Sequence, residues 1–90
     1  MASRTLPAQE ALETQLLTLI SERLLEVPAD FGVESDLFAH GLDSMAIMQF
    51  LLLIEEEYGV SIPERELTRQ NFGSVKCVAR LLQSCGHATA

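Results

Sequence analysis

The sequence has little of what a nucleic-acid-binding or catalytic surface needs. It contains no tryptophan, one tyrosine and two histidines, and only six Lys and Arg against 13 Asp and Glu, for a formal net charge of −7. Binding to phosphate backbones or anionic lipids needs a basic face, so this composition argues against nucleic-acid and membrane partners. Basic protein partners fit better, because complementary charge raises encounter rates.

The chain also lacks a long apolar run. The longest candidate, residues 45–54, is interrupted by Gln49 and ends at Glu55, whereas a membrane-spanning helix needs about 20 apolar residues. No apolar segment follows Arg4 in the manner of an export signal. We therefore expect a cytoplasmic protein.

Two cysteines are too few and too far apart for a disulfide framework. Cys77 and Cys85 lie in a helical-looking segment, where eight residues rise roughly 12 Å, beyond the reach of a disulfide. No Cys/His cluster has zinc spacing. The sequence therefore predicts two reduced thiols and no metal site.

The length of 90 residues and the hydrophobic content of 48% indicate one domain with a small core. Such a domain buries roughly 60–65% of the surface of its unfolded chain, which leaves little room for a deep catalytic pocket. We expect a monomeric domain over residues 7–85, with flexible segments at residues 1–6 and 86–90, and no catalytic residues of its own.

Apolar residues recur at helical spacing in the first part of the chain. They predict a helix over residues 7–26, with Pro7 as its first residue and Pro28 ending it. The apolar positions are Leu12, Leu16, Leu19, Ile20, Leu24 and Val27. A long loop over residues 28–42 follows, and a loop of this length in a small domain is usually functional or packed as a unit.

The second helix is bounded by clear signals. Asp43 or Ser44 can cap its start, it extends to Tyr58, and Gly59 is a natural residue to end it. Residues 63–67 can form one helical turn.

Ser74 can cap a last helix, and Gly86 ends it. The apolar stripe of this helix comprises Val75, Val78, Leu81, Leu82 and Cys85. The fold class is thus all-α: a small bundle of three main helices plus one short helix, with a long loop between the first and second helices.

The candidate chemistry lies in residues 40–45, His-Gly-Leu-Asp-Ser-Met. Taken alone, Asp-Ser before an amphipathic helix is usually only a cap. A hydrolase using His40, Asp43 and Ser44 would also need an oriented base, an oxyanion hole and a pocket, which three neighbours in one turn do not readily supply. His40 is expected to be an exposed loop residue.

A longer pattern surrounds this hexapeptide and covers about residues 10–83. It comprises Leu37, Phe38, Gly41-Leu42-Asp43-Ser44-Met45, the helix end Glu55-Glu56-Glu57-Tyr58-Gly59, Val60, Ile62, Pro63, Phe72 and Ser74-Val75. In these residues the sequence resembles the acyl carrier and peptidyl carrier protein family.

The resemblance implies that Ser44 carries 4′-phosphopantetheine, attached from coenzyme A by a phosphopantetheinyl transferase. Acyl or aminoacyl groups are then bound to the cofactor thiol as thioesters. The carrier takes them from an acyl- or aminoacyl-loading ligase to downstream transferases or synthases. Gly41, which lacks a side chain, would let a partner approach closely. Asp43 either caps the helix and also contacts the transferase, or is a cap alone.

A helical wheel divides the second helix into two faces. One carries Ile47, Phe50, Leu51, Ile54 and Tyr58; the other carries Met45, Gln49, Leu52 and Glu56, with Met48 at its border. Large apolar residues on an outer face predict a docking patch of Met45, Met48, Gln49 and Leu52, adaptable because methionine is flexible. The alternative is that the long loop covers part of this face.

The early outer part of this helix departs from one branch of the family. Fatty-acid carriers usually bear acidic residues there, whereas Ala46 and Gln49 are neutral. This favours an aminoacyl, nonribosomal-peptide or polyketide-type pathway over fatty-acid synthesis. The alternative outside the family is a helical interaction module that is never modified.

Overall fold

The computed structural model describes residues 6–88, and the regular structure in that range is helical. It comprises helices α1 (Gln9–Arg23), α2 (Ser44–Tyr58) and α3 (Val75–Ala88), and two short 3₁₀ turns at Phe38–His40 and Glu64–Glu66. The predicted all-α class is confirmed, and so is the short helical turn within residues 63–67; the turn at Phe38–His40 was not predicted. Most of the two segments predicted to be flexible, residues 1–6 and 86–90, lies outside the described residues.

Helix α1 begins later than predicted. It starts at Gln9 rather than at residue 7, because Ala8 is the N-cap and has an extended backbone (φ −60°, ψ 160°). The carbonyl of Pro7 instead accepts a hydrogen bond of 2.6 Å from Nε2 of Gln83 in α3. A contact across 76 residues of sequence therefore sets this end of the chain.

Helix α1 also ends earlier than predicted. Its last residue is Arg23 rather than residue 26, because Leu24 leaves the helical conformation (φ −125°, ψ −56°). The N–H groups of Leu24 and Leu25 both donate to the carbonyl of Ile20, at 3.0 and 2.9 Å. Pro28 lies beyond this point and does not terminate the helix.

The other helix ends follow local signals in all but one case. Gly59 ends α2 in the left-handed conformation (φ 68°), and the hydroxyl of Ser74 accepts a hydrogen bond of 3.3 Å from the N–H of Cys77 at the start of α3. Both predictions are confirmed. The prediction that Gly86 ends α3 is wrong, since the helix continues to Ala88. A glycine inside a helix costs about 1 kcal/mol and does not by itself stop it.

The core is filled by apolar side chains from all three helices and from the long loop. Phe50 of α2 packs edge-to-face on Phe72, with the ring centroids 6.2 Å apart. The buried residues are Leu12, Leu16, Ile20, Phe31, Leu37, Leu42, Ala46, Phe50, Ile54, Val60, Phe72, Val75, Val78, Ala79, Leu81 and Leu82. Burial of this kind stabilises each large side chain by about 1.5–3 kcal/mol and holds α2 against its neighbours.

The loop between α1 and α2 is tied to α3 by its backbone. The N–H of Leu37 donates to the carbonyl of Gly73 at 2.9 Å, and the N–H of Lys76 donates to the carbonyl of Val33 at 3.0 Å. Leu37 itself is fully buried. The loop therefore packs as a unit and carries the start of α2 in a defined position.

Within residues 6–88, none of the helices is both long and apolar enough to cross a membrane. The same part of the chain contains no group of three His, Cys, Asp or Glu side chains that could hold a metal ion. Cys77 and Cys85 are free thiols.

Candidate functional site

The turn that leads into α2, residues 41–44, is called here the attachment turn. Gly41 has a left-handed backbone (φ 108°), and the N–H of Leu42 donates to the carbonyl of Leu37 at 3.1 Å. The side chain of Leu42 is only 3% exposed. The turn is thus anchored by one buried side chain at its centre.

The backbone conformation gives a second reason for glycine at position 41. The reason suggested by the sequence was that a residue without a side chain lets a partner approach closely. A Cβ atom there would meet Cδ2 of Leu25 at 3.7 Å, an ordinary contact. Space is therefore available for a small side chain, but a φ of 108° is strained for any residue with a Cβ. Close approach of a partner at Gly41 stays a prediction.

Of the two candidate caps, Asp43 and Ser44, Asp43 is the N-cap of α2. Its backbone is extended (φ −124°), and its Oδ1 accepts a hydrogen bond of 2.9 Å from the N–H of Ala46. Such a cap contributes about 0.5–2 kcal/mol to the helix. The structure thus contains the cap that both readings of Asp43 required, and a contact with the transferase stays a prediction.

Ser44 is the first residue of α2, and its side chain is exposed. Within residues 6–88, no hydrogen bond involves its hydroxyl. The first N–H groups of a helix lack acceptors within the helix and favour anions; of these, the N–H of Ala46 is satisfied by Asp43. An accessible hydroxyl at a helix N-terminus fits the attachment of a phosphodiester-linked group such as 4′-phosphopantetheine.

The prediction that His40 is an exposed loop residue is wrong. Its ring is half-buried and packs edge-on against Phe31, with centroids 4.8 Å apart. Among the described residues its buried Nδ1 has no hydrogen-bond partner, and the carboxylate of Asp43 bonds to the helix backbone. The part of the chain that the structure describes therefore shows no hydrogen-bonded relay ending at Ser44.

Three large apolar side chains project from the outer face of α2. Met45 is 75% exposed, Met48 59% and Leu52 60%, and Gln49 between them is also exposed. We call these four residues the outer α2 face. Because the three apolar side chains are more than half exposed, the long loop leaves most of this face open.

The inner side of α2 matches the helical wheel with one exception. Phe50 and Ile54 are fully buried, and the other predicted inner residues, Ile47, Leu51 and Tyr58, pack against the core. Ala46, which was placed on the outer part of the helix, is buried at 8% exposure. Position 46 is therefore uncharged because it packs in the core. Of the two neutral residues, only Gln49 shows that the outer α2 face lacks early acidic residues.

The two thiols lie outside this site. Cys77 and Cys85 are both on α3 and half-buried. Burial, with a smaller contribution from Glu66, raises the pKa of Cys85 above its usual value, although Arg65 acts in the opposite direction. A raised pKa leaves less thiolate at neutral pH, which makes Cys85 a poor nucleophile.

An open groove of about 480 Å³ lies between α1 and the far end of α2. It is lined by Thr14, Gln15, Thr18, Leu19, Glu22, Arg23, Glu57 and Tyr58. The hydroxyl of Tyr58 donates to Oε1 of Gln15 at 2.9 Å. Tyr58 and Ser44 are at opposite ends of the helix, roughly 21 Å apart by helix rise, so this groove is separate from the attachment turn.

One feature of the 3₁₀ turn that precedes the attachment turn was missed from the sequence. The guanidinium of Arg69 lies over the ring of Phe38, 4.4 Å from its centroid. The two residues are far apart in the chain, and no local pattern links them. Only the folding of the long loop onto the start of α3 brings them together.

Comparison with known proteins places this arrangement in a family. A family model described as a phosphopantetheine attachment site matches residues 14–82. The chain is 32% identical over 73 residues to Aminoacyl carrier protein 2 of Bradyrhizobium diazoefficiens, which covers 79% of this chain and 82% of the relative. It is 40% identical over 55 residues to an aminoacyl carrier protein of Agrobacterium fabrum, covering 60% and 66%.

The fold has a counterpart among solved structures. A crystal of an engineered Bradyrhizobium japonicum glycine:[carrier protein] ligase complexed with carrier protein from Agrobacterium tumefaciens and ATP contains a similar chain, with a TM-score of 0.65 and 30% identity. The match covers 84% of this chain and 97% of that one. With the family model spanning most of its length, the chain belongs to the phosphopantetheine-binding family of carrier proteins, whose covalently attached 4′-phosphopantetheine carries acyl or aminoacyl groups.

Proposed function

We propose that this chain is an aminoacyl carrier protein with its 4′-phosphopantetheine on Ser44. The observation that carries the proposal is the exposed Ser44 side chain at the first residue of α2. The left-handed Gly41, the buried Leu42 and the N-cap Asp43 hold it there. Similarity to aminoacyl carrier proteins supports an amino acid as cargo.

In the attachment step, Oγ of Ser44 loses its proton and bonds to the pantetheine-bearing phosphorus of coenzyme A. The bond from that phosphorus to the rest of the nucleotide breaks, and 3′,5′-ADP leaves. The carboxylate of Asp43 is engaged by Ala46 and Nδ1 of His40 is buried, so we assign the proton-accepting base to the transferase. The new phosphodiester is an anion at a helix N-terminus, which stabilises it by about 0.3–1 kcal/mol.

After attachment, the chain presents the cofactor and its bound cargo to partner enzymes. When bound, 4′-phosphopantetheine supplies a terminal thiol that holds the aminoacyl group as a thioester. The outer α2 face begins beside Ser44, and we assign it to the docking of partner enzymes, foremost an ATP-dependent aminoacyl ligase. Its exposed apolar side chains Met45, Met48 and Leu52 suit a small, transient contact. The chain then acts as a monomeric, non-catalytic shuttle in the cytoplasm, where ATP and coenzyme A are available.

Intact-protein mass spectrometry tests the attachment site. After incubation with coenzyme A and a broad-specificity phosphopantetheinyl transferase, we expect a mass gain of one phosphopantetheine, located by peptide mapping at Ser44. Ser44→Ala should abolish the gain and keep a native circular dichroism spectrum. Ser61→Ala is the matched control, since Ser61 is also exposed and its hydroxyl bonds to Glu55. Modification at another serine in Ser44→Ala would contradict the assignment.

The cargo needs a second measurement. Protein purified from its native host should carry an aminoacyl group that hydroxylamine releases. The modified form should also accept an amino acid from the glycine:[carrier protein] ligase with ATP, whereas the unmodified form should not. A fatty acyl chain on the native protein would refute the aminoacyl assignment and leave the attachment site standing.

A further inference from the structure

Arg69 differs from Arg65 and Lys76, the cations that pair with carboxylates within the described residues of this acidic chain. Lys76, for example, pairs with the carboxylate of Glu34 at 3.5 Å. Arg69 lies instead on the ring of Phe38, and among residues 6–88 no carboxylate lies within 4.0 Å of its guanidinium. Its N–H donors are thus unused by the described part of the chain, although acidic residues outnumber basic ones twofold.

A closed set of contacts fixes Arg69 relative to the attachment turn. The N–H of Leu37 bonds to the carbonyl of Gly73, and a Cβ atom at Gly73 would lie 3.2 Å from the carbonyl oxygen of Arg69, so the two backbones are close. The side chain of Arg69 then returns to Phe38, the neighbour of Leu37. Leu37 also accepts the hydrogen bond from Leu42 within the attachment turn.

The fixed guanidinium suits one kind of acceptor. A guanidinium is planar, always charged and matched to a carboxylate, which it can bind through two parallel hydrogen bonds. The Cζ atom of Arg69 lies over the ring of Phe38, and an aromatic face attracts a cation without supplying a hydrogen-bond acceptor in the ring plane. Because Arg69 is already held by Phe38, less side-chain entropy is lost when an acceptor binds.

We propose that Arg69 binds a carboxylate on the phosphopantetheinyl transferase while that enzyme modifies the chain, an inference that rests on the proposed attachment at Ser44. The transferase is the partner because it must bring its active site to the Ser44 hydroxyl itself. Enzymes that act on the cargo meet it at the end of a flexible arm, so their active sites need not reach the turn itself. Arg69 thereby fixes the orientation of the transferase on a surface whose other charges are mainly acidic.

The direction in which kcat/KM changes after charge reversal distinguishes a specific contact at Arg69 from general electrostatic attraction between the two proteins. A chain with a net charge of −7 attracts basic partners, so additional negative charge leaves the encounter rate unchanged or raises it. Loss of a specific ion pair between Arg69 and a carboxylate of the transferase instead lowers kcat/KM for the transfer. Two variants with the same change in charge therefore have opposite expected outcomes.

The experiment compares Arg69→Glu with Arg80→Glu, since Arg80 is an exposed cation on α3. The measured quantity is kcat/KM for transfer from coenzyme A to the unmodified chain by a broad-specificity phosphopantetheinyl transferase. Arg69→Glu should lower it about tenfold or more, and Arg80→Glu should leave it unchanged or slightly raised. Arg69→Lys keeps the charge but not the planar fork, and should lose several-fold. Phe38→Leu releases the guanidinium and should also lose several-fold.

Circular dichroism shows which variants are folded. If Arg69→Glu is unfolded, Arg69→Lys is the Arg69 variant that is compared with Arg80→Glu. Equal kcat/KM values for folded Arg69 and Arg80 variants would overturn the inference. Normal transfer with a loss confined to aminoacyl loading would overturn the assignment to the transferase. A wild-type chain that stays unmodified at Ser44 is a separate result, which refutes the proposed attachment itself.

Discussion

Replacement of Leu52 by glutamate distinguishes a docking role of the outer α2 face from a role in the core. Full burial of a leucine side chain stabilises the folded state by about 1.5–3 kcal/mol. Leu52 is 60% exposed, so the loss is at most two-fifths of that, about 0.6–1.2 kcal/mol. The new carboxylate keeps most of its hydration at such a position. We therefore expect Leu52→Glu to fold.

Ile54→Glu, two residues further along α2, is the control that shows the effect of a glutamate at a buried position. Ile54 is fully buried, and a carboxylate placed there loses its hydration without gaining a partner. That penalty is several kcal/mol, comparable to the whole stability of a small domain. Ile54→Glu should therefore be unfolded by circular dichroism, whereas Leu52→Glu retains the helical spectrum.

The functional assay is the kinetics of the loading enzyme on the phosphopantetheine form. If Leu52 is a main docking contact, its loss costs about 2 kcal/mol, or roughly thirtyfold in kcat/KM, mostly through a raised KM. Leu52→Gln separates the lost apolar contact from the added charge. Ala11→Glu adds the same charge on the exposed side of α1 and should leave the kinetics unchanged. An unfolded Leu52→Glu, or a folded one with wild-type kinetics, would remove Leu52 from the docking surface.

Three further outcomes are expected. Asp43→Ala loses the cap to Ala46 and should lower the free energy of unfolding in urea by about 1 kcal/mol; an unchanged value would mean that the cap bond contributes nothing. Serine at both Cys77 and Cys85 should leave loading intact by intact-protein mass spectrometry, because burial raises the pKa of the Cys85 thiol; a folded variant that no longer loads would implicate a protein thiol. Burial, then Glu57, raises the pKa of Tyr58 above 10.0, so its contribution to stability is full below about pH 10 and falls as the pH rises through the raised pKa. Urea unfolding across alkaline pH should show this fall in the wild type and a smaller one in Tyr58→Phe.

Local signals predicted those features that a few neighbouring residues determine. Glycine at position 59 ends a helix because it adopts φ 68° without strain. Asp43 caps α2 because its carboxylate reaches an N–H three residues on. The 3.6-residue period placed Phe50 and Ile54 inside and Leu52 outside.

The same local character explains how much of the candidate site could be predicted. Ser44 was predicted to lie at the start of α2, because Asp43 or Ser44 can cap that helix. The outer α2 face, Met45, Met48, Gln49 and Leu52, was predicted from the same wheel. Its use as a docking surface, and the attachment at Ser44, depend on partner molecules and stay predictions.

Other features depended on parts of the chain that lie far apart in sequence. His40 is half-buried because Phe31 packs against it. Arg69 contacts Phe38, shortly before the attachment turn, because the long loop folds onto the start of α3. The start of α1 is set in part by Gln83. The periodicity and caps of this sequence determined which helices form and where Ser44 stands. Only the tertiary structure decided what surrounds that turn, because such contacts depend on how separate segments pack and leave no pattern among neighbouring residues.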